Sequence, residues 1–259
     1  MNIVVLVKQV PDSGAERSLR PDDFTVDRGG ANNVINEMDE YAIEEALKIQ
    51  EAHGGEVTIL TAGPDQASDA IRKALQMGAD KGVHVVDDAL RGSCAVATSA
   101  VLAAALRSLN PDLILAGSES TDGRVQVMPH MIAERLGIAA LTGARKLTVD
   151  GSTLTIERQT EEGYEVVTAS TPAVVSVWDT INEPRYPSFK GIMAAKKKPI
   201  DTRSLADLGV AAETVGFAGA TSKVVEAAKR PARSGGTKVV DSGDGGSQLV
   251  AFLATEKFV

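Results

Sequence analysis

The chain has 259 residues, enough to bury a full core, and its 43% hydrophobic and 24% charged content is ordinary for a globular protein. A net charge of -8 argues against nucleic acid as the main partner, because neutralising phosphates needs a basic face. The single Cys94 excludes an intrachain disulfide framework and fits a reducing cytoplasm, and no apolar run reaches the roughly 18 residues of a membrane span. Aromatic residues make up only 3%, so the core must be built from Ala, Val, Leu and Ile.

The opening "MNIVVLVKQV" turns polar too early for a signal peptide, and its run Asn2–Val7 reads as a strand buried on both faces. "MDEYAIEEALKIQEAHGG" has helical spacing at Tyr41, Ile43, Ala46, Leu47 and Ile49, with acids early and Gly54-Gly55 as the stop. "EVTILTAGP" reads as the second strand and "DQASDAIRKALQMGA" as a helix with Ile71, Ala74 and Leu75 on one side. "KGVHVVD" is a third strand, "SCAVATSAVLAAALRSL" an alanine-rich helix and "DLILAG" a fourth strand. "VMPHMIAERLG" is a helix with Pro129 in its first turn and Gly137 at its end. Strands alternating with helices predict βαβ units and a parallel sheet.

Beyond about residue 140 the pattern changes. "GARKLTVDGSTLTIERQ" predicts a hairpin around Asp150-Gly151, and "YEVVTAS" and "PAVVSVW" follow as two more strands of an antiparallel region. "INEPRYPSFKGIMAAKKK" (Ile181 to Lys198) reads as neither helix nor strand, with Phe189 between Pro187 and Gly191 unable to be the middle of a core element. Lys229–Gln248 is too rich in Gly, Ser and charge to build a core, whereas "LVAFLATEKFV" is apolar enough to dock. Such a tail either wraps around a partner subunit or frays.

Ligands of open parallel sheets bind beyond the carboxyl ends of the strands. Those positions hold "KQVPDSG", "TAGPD" and "GSESTDGRVQV". In the last, backbone N–H groups and hydroxyls can hold an anion at a helix N-terminus, with Arg124 either on phosphate or in solvent. The alternative is an ordinary strand-to-helix turn capped by Thr121 and Asp122, for which the loop is long. Asn36 to Asp39 either cap the first helix or face an adenosine. G-x-G-x-x-G does not follow the first strand, and the P-loop motif does not occur. The "SGG" at Ser234 sits too late to be a pyrophosphatase-type loop. His53, His84 and His130 lack metal-ligand spacing, most carboxylates read as solvated helix faces, and no nucleophile–base pair is recognisable.

"VLVKQVPD", "NEMDEYAIEEAL", "IRKALQMGAD", "GSESTDG", "TPAVVSV" and, above all, "INEPRYPSFKGIMAAKKK" resemble the beta subunit of electron-transfer flavoprotein. The likeness runs from residue 1 to about 210 and more loosely to the end. It implies a non-enzymatic subunit that pairs with an FAD-carrying alpha subunit. The pair takes electrons from acyl-CoA and related dehydrogenases, as in fatty acid oxidation, and passes them to a quinone oxidoreductase. It also implies a structural AMP lined by Leu6, Val7, Asn36, Glu37, Met38, Asp39, Ala62 and the loop Gly117, Ser118, Ser120, Thr121, Asp122, Gly123, Arg124, Val125, Gln126, Val127 and Met128. Val7 and Asn36 would lie by the adenosine and Ser118–Gln126 by the phosphate. Arg185, Tyr186, Pro187, Ser188, Phe189, Lys190, Gly191, Ile192 and Met193 would meet the dehydrogenase, with Phe189 as the anchor and Lys196–Lys198 either facing acidic groups or keeping the loop solvated.

The sequence departs from the family pattern at several points. Gln159 stands where relatives have glutamate, and Ser13 and Met38 stand where some place a tyrosine and a phenylalanine near the flavin. Val125 and Gln126 replace a hydroxyl and a glycine of the phosphate loop, a loss that Arg124 can offset. The expected architecture is an α/β, Rossmann-like parallel sheet flanked by helices. Residues 1–200 would form the nucleotide-binding domain, with antiparallel strands at about 143–178 and a recognition loop at 185–194. Residues 201–259 would be a C-terminal arm on the alpha subunit. Alternatives are a bifurcating family member with a second FAD in place of AMP, and a stand-alone adenine-nucleotide-binding regulator.

Overall fold

The first apolar run forms β1 (Asn2–Leu6), whose Ile3 and Val5 enter one core while Val4 and Leu6 enter another. This two-sided burial explains why the run shows no polar alternation. The computed structural model describes residues 1–259 other than 234 and 237, so the Ser234 reading lies outside the described residues. The chain divides into two units, Met1–Val224 and Val225–Val259.

In the first unit β1 leads to a small antiparallel pair, β2 (Gln9–Pro11) and β3 (Asn33–Ile35), then to α1 (Glu37–His53). There follow β4 (Glu56–Ala62), α2 (Ser68–Met77), β5 (Lys81–Val85), α3 (Ala95–Leu109), β6 (Leu113–Gly117) and α4 (Met128–Leu136). Then come β7 (Ala139–Asp150), β8 (Thr153–Gln159), β9 (Tyr164–Ser170), β10 (Ala173–Val177), α5 (Phe189–Ala195), β11 (Ile200–Arg203) and the short α6 (Gly216–Gly219). Among the described residues the main sheet has nine strands, in the order β11-β5-β4-β1-β6-β10-β7-β8-β9. From β11 to β7 every neighbour is parallel, and β8 and β9 are added antiparallel.

Helices cover both faces. Ile43 and Leu47 of α1 and Ile71 and Leu75 of α2 pack on Ile3, Val5, Ile59 and Leu115. Val101 and Leu106 of α3 and Ile132 of α4 pack on Val4, Leu60, Ile114 and Val174. The expected α/β fold, parallel sheet and hairpin at Gly151 (φ 58°) are all observed.

Three expectations need correction. Ala173–Val177 does not belong to an antiparallel region: β10 lies between β6 and β7 and is parallel to both. All five of its residues are buried, which a strand covered on both sides requires. The boundary expected at residue 201 lies at 224/225, because β11 joins the sheet edge beside β5 and Leu205 and Val215 are buried. The segment expected as a recognition loop at 185–194 is helical from Phe189, since the Ser188 hydroxyl accepts from Gly191 N at 3.0 Å and caps that turn.

The second unit carries α7 (Gly245–Thr255), entered by a turn in which the Asp241 carboxylate accepts from Gly243 N and Gly245 N. Leu249, Val250 and Phe252 of this helix are exposed.

Gly82 lets α2 approach β5 closely: a Cβ there would stand 2.3 Å from Ile71 Cγ2. Gly82→Ala is therefore expected to cost about 1–3 kcal/mol by overpacking. A urea midpoint lowered at constant slope would show it. An unchanged midpoint would mean that α2 can retreat from the sheet freely.

Candidate functional site

Because β1, β4 and β6 are parallel, Leu6, Val7, Ala62 and Gly117 end at one edge of the sheet, and α1 begins there too. One side chain joins these pieces. Asn36 Nδ2 donates to Glu119 O and to Asp39 Oδ1, both at 2.9 Å, while its Oδ1 accepts from Thr121 N at 3.0 Å. Asn36 occupies the N-cap position of α1, but its amide is spent on the loop rather than on the helix backbone. Asp39 is buried and accepts from Lys8 N at 2.8 Å. Gly117 permits this approach, since a Cβ there would lie 2.6 Å from both Asp39 Oδ1 and Met38 Cβ.

Burial pushes the Asp39 carboxyl up to about 7, against the opposing hydrogen bonds from Asn36, Lys8 and Gly117. Asp122 behaves oppositely. Burial would raise it, but Lys8 Nζ at 2.7 Å and Arg28 Nη2 at 2.5 Å hold it well below the usual carboxylate range. Lys8 also donates to Ser120 Oγ at 3.2 Å, and Arg17 donates to Thr121 O at 2.6 Å. Arg17 and Arg28 come from the excursion between β2 and β3, which brings two cations to a loop 104 and 94 positions later, respectively. Sequence reasoning missed both. Lys8 lay within the quoted "KQVPDSG", and its place just after β1 was the available signal.

The remaining residues divide. Gly123, Arg124, Val125, Gln126 and Val127 are exposed, with Arg124 (φ 50°) and Gln126 (φ 59°) in the left-handed region. Gln126 donates to Glu119 at 2.6 Å. Ser118 does not serve the loop surface: it is buried, and its hydroxyl donates to Val177 O at 2.9 Å. Glu37 accepts from Ser13 Oγ at 2.8 Å. Met128 opens α4, whose N-cap residue Val127 supplies no side-chain cap, so the expected Thr and Asp capping of a plain turn is not the arrangement found. The Thr121 hydroxyl is buried and has no partner among the described residues. A cavity of about 220 Å³ opens beside the loop, bordered by Ser118, Gln126, His130, Arg158 and Trp178. A larger hollow of about 410 Å³, at Met1, His53 and Asp112, lies at the opposite strand ends and has no part in this constellation.

Not every carboxylate of α1 belongs to the solvated face that spacing suggested: Glu37 and Glu51 are exposed, but Glu44 and Glu45 are buried. Arg185, expected to meet a partner, grips Glu44 with Nε (2.7 Å) and Nη2 (3.0 Å) and reaches Glu51 with Nη1 at 2.5 Å. Asn182 donates to Tyr41 O and Glu45, each at 3.0 Å. Beyond these tethers Tyr186 is 92% and Phe189 81% exposed, with Lys190, Ile192 and Met193 also exposed and Pro187 half-buried. Lys198 is not a solvating charge, since its ammonium donates to Leu75 O, Gly78 O and Ala79 O at the end of α2. Gln159 closes its own hairpin by donating to Thr160 O and Gly163 O.

The sheet and its strand-end loop define an open α/β protein with a candidate ligand site where such sheets hold their ligands. The chain belongs to the electron transfer flavoprotein family: the family's "Electron transfer flavoprotein domain" matches residues 23–208. It is 51% identical over 264 aligned positions to "Electron transfer flavoprotein subunit beta" of Mycobacterium leprae, covering 100% of this chain and 99% of that protein. A protein of the same description from Thermoanaerobacterium thermosaccharolyticum is 39% identical, covering 87% of this chain and 86% of its own length. "Caffeyl-CoA reductase-Etf complex subunit CarD" of Acetobacterium woodii is 35% identical over 92% of each chain. Among the described residues no helix is long and apolar enough to cross a membrane.

The raised Asp39 value has a definite sign in stability. The folded state keeps the proton longer than the unfolded chain, so the group's contribution is complete below about pH 4 and is lost as pH rises through about 7. Relative to Asp39→Asn, the wild type is expected to lose stability by an amount on the order of a few kcal/mol across that window. Denaturant unfolding of both proteins at several pH values measures it. A difference that stays flat from pH 4 to 7 would refute the assignment.

Proposed function

We propose that this chain is the beta subunit of a heterodimeric electron-transfer flavoprotein, working as a cytoplasmic carrier with no catalytic residues of its own. The observation that supports this most directly is the end-to-end likeness to a protein described as subunit beta. In this reading the alpha subunit holds most of the FAD, which supplies the redox chemistry. The beta chain contributes a structural nucleotide and a docking surface. Electrons arrive from acyl-CoA and related dehydrogenases and leave to a quinone oxidoreductase. The C-terminal residues, with exposed Leu249, Val250 and Phe252, pack on the alpha subunit.

The structural nucleotide is AMP. Val7 and Asn36 stand by the adenosine, and the loop from Ser120 to Gln126 stands by the phosphate. The residues present fit such a group: the buried Thr121 hydroxyl has no partner among the described residues, and the N-cap residue Val127 offers no side-chain cap to the start of α4. Lys8 and Arg28 together bring more positive charge than Asp122 neutralises, which suits an anion. A second reading puts a second FAD in this pocket, as in bifurcating members, and is favoured by the cavity of about 220 Å³ beside Ser118 and Gln126.

Acid extraction and chromatography of the co-purified heterodimer separate the two readings. One FAD and one AMP per heterodimer is the expected result; two FAD and no AMP would make the pocket a redox site. Phe189 is the proposed anchor for the dehydrogenase, because one exposed aromatic on a fixed helix loses little entropy on docking. Phe189→Ala is expected to raise KM for the reduced dehydrogenase about tenfold or more with both cofactors retained. Unchanged kinetics across dehydrogenase concentration would refute the anchor.

A further inference from the structure

Glu44 is an expensive residue to have where it stands. Its side chain is only 5% exposed, on a helix whose neighbouring positions build the core. The side chain of its partner Arg185 is 35% exposed, so the pair is half-buried, and an apolar side chain in place of Glu44 would avoid desolvating that carboxylate; the pair is therefore a poor device for stability. What such a pair offers is geometry. The Arg185 guanidinium meets Glu44 through two N–H donors, and Arg185 N donates to the same carboxylate at 3.1 Å. The backbone at residue 185 is therefore fixed, not merely the end of a long side chain.

Two further tethers act on the same segment. Asn182 is bound to Tyr41 O and Glu45 just before it. On the other side, Gly191 packs against α2 so closely that a Cβ would stand 2.5 Å from Gln76 O, and Lys198 caps the end of that helix. The segment is strapped across α1 and α2, and between the straps Tyr186 and Phe189 stand in solvent.

We propose that Arg185 and Glu44 are positioning residues. They hold the first turn of α5 so that Phe189 is presented in a single geometry, and they do not themselves touch the dehydrogenase. The inference rests on the reading of Phe189 as anchor. A floating loop would have to be ordered on every encounter, whereas this one is ordered before its partner arrives.

The test uses the full heterodimer and an acyl-CoA dehydrogenase reduced with octanoyl-CoA. Arg185→Lys keeps the charge and loses the fork. It is expected to raise KM about tenfold with kcat unchanged, and to speed amide hydrogen exchange in residues 189–195 about tenfold while β1 and β6 keep their protection. Added to Phe189→Ala, it should raise KM no further, because the two act through one contact. The Glu44→Met/Arg185→Met pair leaves no unpaired buried charge. It is expected to keep the melting temperature while reproducing the KM of Arg185→Lys.

A KM effect that multiplies with that of Phe189→Ala would make Arg185 a direct contact and overturn the proposal. So would an unchanged KM, or unchanged exchange, in Arg185→Lys. If Phe189→Ala alone leaves KM unmoved, the docking reading itself falls. A response to Phe189→Ala with none to Arg185→Lys sinks the positioning role only.

Discussion

The amide of Asn36 couples two parts of the chain that share no regular hydrogen bonding, the start of α1 and the loop after β6. It satisfies a backbone donor and a backbone acceptor of that loop, and at the same time it holds the Asp39 carboxylate under Gly117. An amide is the one neutral side-chain group that can accept and donate in this way. Replacing it with aspartate would bring a second carboxylate beside Asp39 and lose both donations. The conformation of the loop from Glu119 to Thr121, and with it the place of Asp122 and its two cations, follows from this anchorage.

Helix α1 consequently serves two regions with different chemistry. Its first turn meets the strand-end loop through neutral hydrogen bonds and a carboxyl pushed toward neutrality by burial. Further along it meets the segment that carries Phe189 through ionised groups, and there Glu44 and, near the end of the helix, Glu51 hold the Arg185 guanidinium in its charged form. The same helix presents Ile43, Leu47 and Ile49 to the core, so neither region can shift without disturbing sheet packing. A rigid scaffold under two loops is the usual way α/β proteins place function on irregular backbone.

Much of this was legible in advance. The two-sided burial of β1, the βαβ order and the Asp150-Gly151 hairpin are local patterns, and all appear as read. The electron-transfer flavoprotein likeness rested on motifs distributed along the chain, which a full-length match supports. What periodicity could not show were pairings between distant positions. Glu44 and Glu45 look like the polar face of an amphipathic helix until Arg185 and Asn182, more than 130 residues later, cover them. Lys198 reads as one of three solvated lysines until three carbonyls of α2 and its flank claim it. Arg17 and Arg28 sit in a stretch without any regular pattern, so nothing local links them to the loop they reach. The direction of β10 is not legible in the sequence, because a short apolar run carries no mark of its direction or neighbours.

The pairing of Asp122 with Lys8 and Arg28 also bears on the order of assembly. Cations gathered at one place repel one another unless an anion lies between them. Here the chain carries its own anion, buried between them. The strand ends and the arginine-bearing excursion between β2 and β3 are thus held together by the chain's own charges. In the AMP reading proposed above, nucleotide capture would be a late step, open to exchange within an already folded subunit.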